Sequence, residues 1–242
     1  MTESTKKFDT SFSIMPTGTR RGDWLLVLAA VRQLLGDPSW ILPKDMVMHH
    51  GVASGSMQVI PFELHGALEH TGWFTEQDVV RAVQTPLGRV HGPGFMSDGG
   101  PAIGERELGE LEQEFGIALD PIYRQFLQAH NGGRPANPAF LLLGQDRGEI
   151  LDRFFGLEKS GADTLLGAFD LYSERIPRGS LPVARDPFGN LILLCLAGPQ
   201  KGWVLFWDHE LEPQDESDSG ENLYRIAPNF AQFLASFRSL GV

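Results

Sequence analysis

A chain of 242 residues, 42% hydrophobic and 21% charged, has an ordinary globular balance and is long enough for one large domain or two small ones. The longest apolar run of its first third, residues 24–31, falls far short of the ~18 residues a membrane helix needs. The polar first residues carry two lysines with no apolar segment behind them, so neither a span nor a secretory signal is expected, and a cytoplasmic setting is. The net charge of −11 is uneven: residues 1–103 hold 8 Lys+Arg against 10 Asp+Glu, and residues 104–242 hold 12 against 21. Phosphate contacts supply most nucleic-acid affinity, so the acidic second half disfavours direct binding to nucleic acid and favours a basic protein partner.

Residues 1–21 are polar, with Pro16 and Gly18, and read as a loose arm. Asp23 then caps an apolar helix from Trp24 to Leu35, ended by Gly36-Asp37-Pro38. Residues 40–48 are too short and mixed to assign. Met57, Val59, Ile60, Leu64 and Leu68 have the spacing of an amphipathic helix interrupted by Pro61, and a second helix is expected over residues 76–83. Two helices across a short turn suggest a helix-turn-helix, but only Arg81 and Gln84 could contact DNA, so helical packing is the expectation. Residues 87–101 hold five glycines and two prolines, a density that forbids a helix and marks a domain boundary near residue 100. The first unit, residues 22–100, is thus expected to be small and mainly helical.

The second half opens with a helix from Glu105 to Phe115, with Leu108, Leu111 and Phe115 on one face and Gly116 as its stop. Pro121 begins another helix, where its missing N–H costs nothing, and Asn131-Gly132-Gly133 closes it. The period then changes to that of strands, in residues 139–143, 181–184, 191–196 and 203–207. Asp186-Pro187-Phe188-Gly189-Asn190 is a hairpin connection, because Pro fixes φ while Gly and Asn accept positive φ. Asn229 caps a closing helix over residues 230–240 with Phe230, Phe233, Leu234 and Phe237 in one stripe. Helices, an antiparallel meander and a closing helix make an α+β fold, an antiparallel sheet packed with helices. The single cysteine, Cys195, excludes an internal disulfide and reads as a buried strand residue.

Four blocks in this order, residues 119–133 (LDPIYRQFLQAHNGG), 181–196 (LPVARDPFGNLILLCL), 202–210 (GWVLFWDHE) and 226–237 (IAPNFAQFLASF), resemble the SUKH superfamily, across residues of about 104–240. That superfamily includes a fungal cell-wall regulator and many bacterial immunity proteins. The resemblance implies a sheet wrapped by helices with no catalytic centre, no cofactor, and a cognate polymorphic toxin, such as a nuclease, as partner. Residues 1–100 match nothing in the pattern.

Site-like features are few. Asp208-His209-Glu210 could suggest a metal or acid–base cluster, yet along a strand His209 would point away from the two carboxylates. His49, His50, His65, His70 and His91 crowd the first half and raise a zinc hypothesis, but His65 and His70, five apart, do not share a helix face. They read as surface or half-buried residues, and His130 as a cation at a helix end. No metal site and no nucleophile arrangement is expected. The distinctive feature is acidic: Asp208, Glu210, Glu212, Asp215, Glu216, Asp218 and Glu221 fall in fourteen residues without Lys or Arg. A solvated loop is one reading. The other is a surface complementary to the basic cleft of a nuclease, which would also speed capture. Three functions remain open: an immunity protein, a protein-interaction scaffold or regulator, and an enzyme whose site lies in residues 1–100.

Overall fold

In a computed structural model of the chain, residues 11–13, 20–50, 56–62, 95–144, 148–157, 163–212 and 222–239 are described. The second half is built on a five-stranded antiparallel sheet in the order β12-β11-β10-β9-β8. Its strands are β8 (Arg153–Phe154), β9 (Ser180–Arg185), β10 (Leu191–Cys195), β11 (Val204–Trp207) and β12 (Leu223–Ala227). Every residue of β9, β10 and β11 is buried, so both faces of the sheet's middle are covered. Continuous apolar strands such as Leu191-Ile192-Leu193-Leu194 are the sequence form of such burial.

Three helices and a fourth short one close over it: α2 (Glu105–Phe115), α3 (Pro121–His130), α4 (Leu165–Tyr172) and α5 (Phe230–Ser236). α2 ends at Gly116 with φ 64, as its sequence requires, and α3 is capped by Asp120, whose side chain accepts from the amides of Ile122 and Tyr123. Asn131 follows α3 at φ 46 and acts as a hub: its Nδ2 donates to the Pro101 carbonyl and its Oδ1 accepts from the Leu157 amide. Rings from α3, β8 and α5 pack edge to face, Tyr123 on Phe230 with centroids 5.0 Å apart and Phe233 on Phe237 at the same distance.

Several elements depart from expectation, among them the edge strands β8 and β12, which no expected strand covers. The strand read over residues 139–143 forms β6 (Ala139–Leu141) but pairs with β7 (Gly148–Ile150), outside the main sheet. The closing helix stops at Ser236 rather than 240, because Arg238 leaves the helix to bridge Ala139. α4 was not foreseen, since Leu-Leu-Gly-Ala-Phe-Asp-Leu-Tyr is apolar nearly all round and carries no helical stripe.

Before residue 63 the described chain holds β1 (Ser11–Ser13), α1 (Arg20–Leu35), β2 (Met46–His50) and β3 (Ser56–Pro61). The strands form an antiparallel sheet, β1-β3-β2, with α1 on it. The helix expected from Met57 is therefore corrected to a strand: Met57 pairs with His50, Val59 with Met48, and Ile60 with Val47. The apolar residues of 57–60 fit both periods, and pairing to β2 chose the strand. α1 begins at Arg20, so Asp23 sits in its first turn, buried, instead of capping it. The second helix of the suggested pair, residues 76–83, lies outside the described residues, as do residues 1–10 and 14–19 of the expected arm 1–21, His65, His70 and His91, while residues 11–13 of that arm form β1 and residues 20–21 open α1. Packing continues past the boundary placed near residue 100. Phe95 belongs to the second half's core, and β4 (Met96–Ser97) pairs with β5 (Arg134–Pro135). Val47, Ile60 and Phe62 join that same core.

Candidate functional site

The acidic stretch begins where β11 ends. Residues 209–211 form a 3₁₀ turn rather than a continued strand, so the alternation argued for Asp208-His209-Glu210 does not apply. Asp208 is buried; its Oδ1 caps the turn by accepting from the Glu210 amide at 3.2 Å, while its own amide donates to the Asn222 carbonyl. His209 is buried against Asn190, whose Oδ1 accepts from the His209 amide at 3.1 Å and lies 2.6 Å from its Nδ1. Glu212 pairs in fork fashion with Arg175, whose Nε lies 3.1 and 3.2 Å from the two carboxylate oxygens. That carboxylate holds the guanidinium above its ordinary pKa, and the guanidinium also stacks over Tyr172 and Trp207. Of the seven carboxylates, Asp208 and Glu212 thus serve the fold, Glu210 lies half-buried on the turn, and Asp215, Glu216, Asp218 and Glu221 fall outside the described residues. Among the described residues, no three His, Cys, Asp or Glu side chains converge as a metal site would require. No described helix is long and apolar enough to cross a membrane.

A second site lies where the first unit meets the second. Arg185, at the end of β9, is completely buried, a placement that costs several kcal/mol unless the charge is paired. Its charge is balanced by two carboxylates. Nη2 lies 3.2 Å from Asp152 Oδ2, and Nε lies 3.0 Å from Asp163 Oδ1. The remaining donors reach across to the first unit: Nη2 donates to the Lys44 carbonyl at 2.6 Å and Nη1 to the Met46 carbonyl at 3.1 Å. The Phe62 ring covers the guanidinium at 4.7 Å.

Arg134 extends the arrangement. Its Nε donates to Asp152 Oδ1 at 3.1 Å and its Nη2 to the Leu42 carbonyl. Arg153 closes the cluster on Asp163 at 3.3 Å. Burial pushes the Asp163 carboxyl up and the Arg153 guanidinium down, each opposed by the other's charge and by Arg185 or Asp152. Three guanidinium groups thus share two half-buried carboxylates, and the surplus donors end on three carbonyls around the turn that leads into β2.

The turn after Arg185 completes the contact. Asp186 Oδ1 accepts from the amides of Phe188 and Asn190, both at 2.8 Å, and Asp186 Oδ2 accepts from Asn190 Nδ2 at 2.6 Å. Gly189 takes φ 92, as the turn requires. So fixed, Pro187 accepts from the Met48 amide at 2.7 Å, and Phe188 inserts among Val27, Val31, Leu42, Met48, Met57 and Val59 of the first unit. A cavity of about 140 Å³ remains beside the joint, lined by Trp24, Leu28, Leu42, Arg134, Asp152 and Pro187 among others. Nothing in the sequence reading marked Arg134 or Arg185; the sole signal was an arginine ending an otherwise apolar strand, Leu-Pro-Val-Ala-Arg.

A five-stranded antiparallel meander wrapped by helices is an α+β architecture consistent with a SUKH-like fold. The chain belongs to the SMI1/KNR4 family (SUKH-1), whose model matches residues 102–236. Members of this family are often immunity proteins. The chain is similar to the SPbeta prophage-derived uncharacterized protein YokK of Bacillus subtilis (strain 168), at 30% identity over 162 residues, covering 59% of this chain and 80% of that protein. A second model, of a nuclease of the HNH/endonuclease VII superfamily with conserved WHH, matches residues 39–77. This stretch contains Trp40, His49 and His50, together with β2 and β3. Four of the five histidines crowded in the first half, His49, His50, His65 and His70, lie within it.

Proposed function

We propose that the chain is a non-catalytic immunity protein that binds and neutralises a toxin nuclease, with the SUKH-1 domain as the capturing part. One observation carries the reading. The segment similar to a nuclease is the segment that the domain grips, through Arg134, Arg185 and Pro187. The acidic stretch adds long-range attraction for a nuclease, whose cleft must be basic to hold phosphates. Asp208 and Glu212 are engaged internally, so in this reading Asp215, Glu216, Asp218 and Glu221 carry most of that work.

The test is calorimetry of the full chain against the C-terminal nuclease domain encoded by the neighbouring upstream gene, with co-expression in cells that carry the inducible nuclease. Nanomolar binding with rescue of growth is expected, and neither binding nor rescue would refute the reading. A scaffold without a toxin would instead retrieve housekeeping proteins from its host.

A second reading is favoured by the nuclease match and by His49-His50 at the end of β2: the chain itself cleaves nucleic acid through residues 39–77. Incubation of the full chain with plasmid DNA decides it. Cleavage abolished by His49→Ala would support this reading, and intact DNA would dismiss it.

A further inference from the structure

The backbone of Arg185 and the carboxylates that balance its charge belong to the SUKH-1 domain. Asp152 Oδ2 lies 3.2 Å from its Nη2 and Asp163 Oδ1 3.0 Å from its Nε, so the domain supplies the compensating charge and β9 the backbone, while its hydrogen bonds run to the Lys44 and Met46 carbonyls. Arg134 is held the same way, by Asp152. What the two arginines bind is backbone: the carbonyls of Leu42, Lys44 and Met46. A site that reads carbonyls tolerates change in its partner's side chains. It constrains them only where apolar groups must enter, here at Val47, Ile60 and Phe62, and where Phe188 must be received. The acidic stretch starts from the same corner, because Asn190 ties the Asp186 turn to His209. Attraction and grip therefore converge at one place.

Deepening the immunity reading, on which this inference rests, we propose that Arg134, Arg185 and Phe188 form a capture site for a nuclease-type β-hairpin, which this chain fills with its own residues 42–62. A foreign hairpin of the same kind and the internal one compete for it. The occupant is a turn followed by two antiparallel strands, recognised by three carbonyls, one amide and a row of apolar side chains. Any toxin captured here must displace the internal hairpin or meet a molecule from which it has swung away.

Fluorescence anisotropy of a dye-labelled synthetic peptide of residues 39–62, added to the full-length chain, tests this. Met48→Pro removes the N–H that donates to Pro187 and breaks the β2–β3 ladder, so it unseats the internal hairpin. Met48→Pro protein is expected to bind the peptide at least tenfold more tightly than the unaltered chain, and adding Arg134→Met is expected to remove that gain. The Cys195 thiol, buried in β10, reports whether the domain stays folded, since it reacts with iodoacetamide only when that strand opens. No gain with Cys195 protected would overturn the proposal. Should Met48→Pro expose Cys195, Leu42→Ser withdraws a buried anchor with less disturbance, and the same gain or its absence decides. Rescue from the nuclease without a peptide gain overturns the capture site alone; a gain without rescue keeps the site and overturns the immunity reading.

Discussion

Phe188→Ala separates the joint from the domain that carries it. Phe188 is 1% exposed, yet its neighbours are Val27, Val31, Leu42, Met48, Met57 and Val59 of the first unit, not the SUKH-1 core. The turn that presents it is fixed by Asp186 through backbone amides and Asn190, none of which the substitution touches. Truncating a buried phenylalanine costs about 3–5 kcal/mol. Because the loss falls on the contact between the units, it should raise the population with the hairpin undocked by roughly two to three and a half orders of magnitude, at a factor of ten per 1.4 kcal/mol. Native-state hydrogen exchange reads this directly. The Met48 amide, bonded to Pro187, should exchange faster by that factor, while the amides of Leu193 and Leu194 in β10 should change little. Equal acceleration at both places would show that the two units open as one and refute the separable joint. No acceleration at Met48 would refute the role of Phe188.

Other substitutions probe the domain itself. The Tyr123 hydroxyl is buried without a hydrogen-bond partner, and burial raises its pKa far above the ordinary value; Tyr123→Phe should be neutral or up to about 1 kcal/mol stabilising in urea unfolding. Asn131→Ala strips the bonds to Pro101 and Leu157 and asks alanine to hold φ 46, so it should cost about 2–4 kcal/mol in the same assay. Asp163 has a folded-state pKa raised above the ordinary 3.8, mainly by burial. Its linkage contribution is fully present below the unfolded pKa and is lost as pH rises through the folded value. Relative to Asp163→Asn, the parent chain should therefore gain stability as pH falls through that window, and parallel urea midpoints from pH 7 to 4 would contradict it.

The second half was legible because its signals are local. Gly116 and Asn131 take the left-handed conformations their types suggest, Pro121 opens its helix and Asn229 caps the one it precedes, and the Asp186–Asn190 turn forms where Pro, Gly and Asn allow it. The first unit was harder for a physical reason. Met57, Val59 and Ile60 satisfy both periods, and the choice was made by β2, whose own sequence, Met-Val-Met-His-His, has no clean alternation. The joint was not legible at all. Its acceptors are main-chain carbonyls, which any sequence supplies, and its donors are arginines that local pattern assigns to solvent. Asp152 and Asp163, the carboxylates that let Arg185 lie at 0% exposure, stand 33 and 22 positions away in the chain.

The acidic stretch shows how composition and structure divide the explanation. Seven carboxylates without a cation read as one electrostatic unit, but two of the three described are committed elsewhere: Asp208 to the turn after β11 and Glu212 to Arg175. Attraction for a basic partner scales with the charge left exposed and is screened over about 8 Å at physiological salt. Neutralising Asp208 or Glu212 should therefore disturb folding more than capture, whereas neutralising Asp215, Glu216, Asp218 and Glu221 together should slow association and weaken its salt dependence without moving the urea midpoint. A salt dependence that survives that change would transfer the steering to other carboxylates of the domain and leave the arginine joint as the sole determinant of capture at this corner.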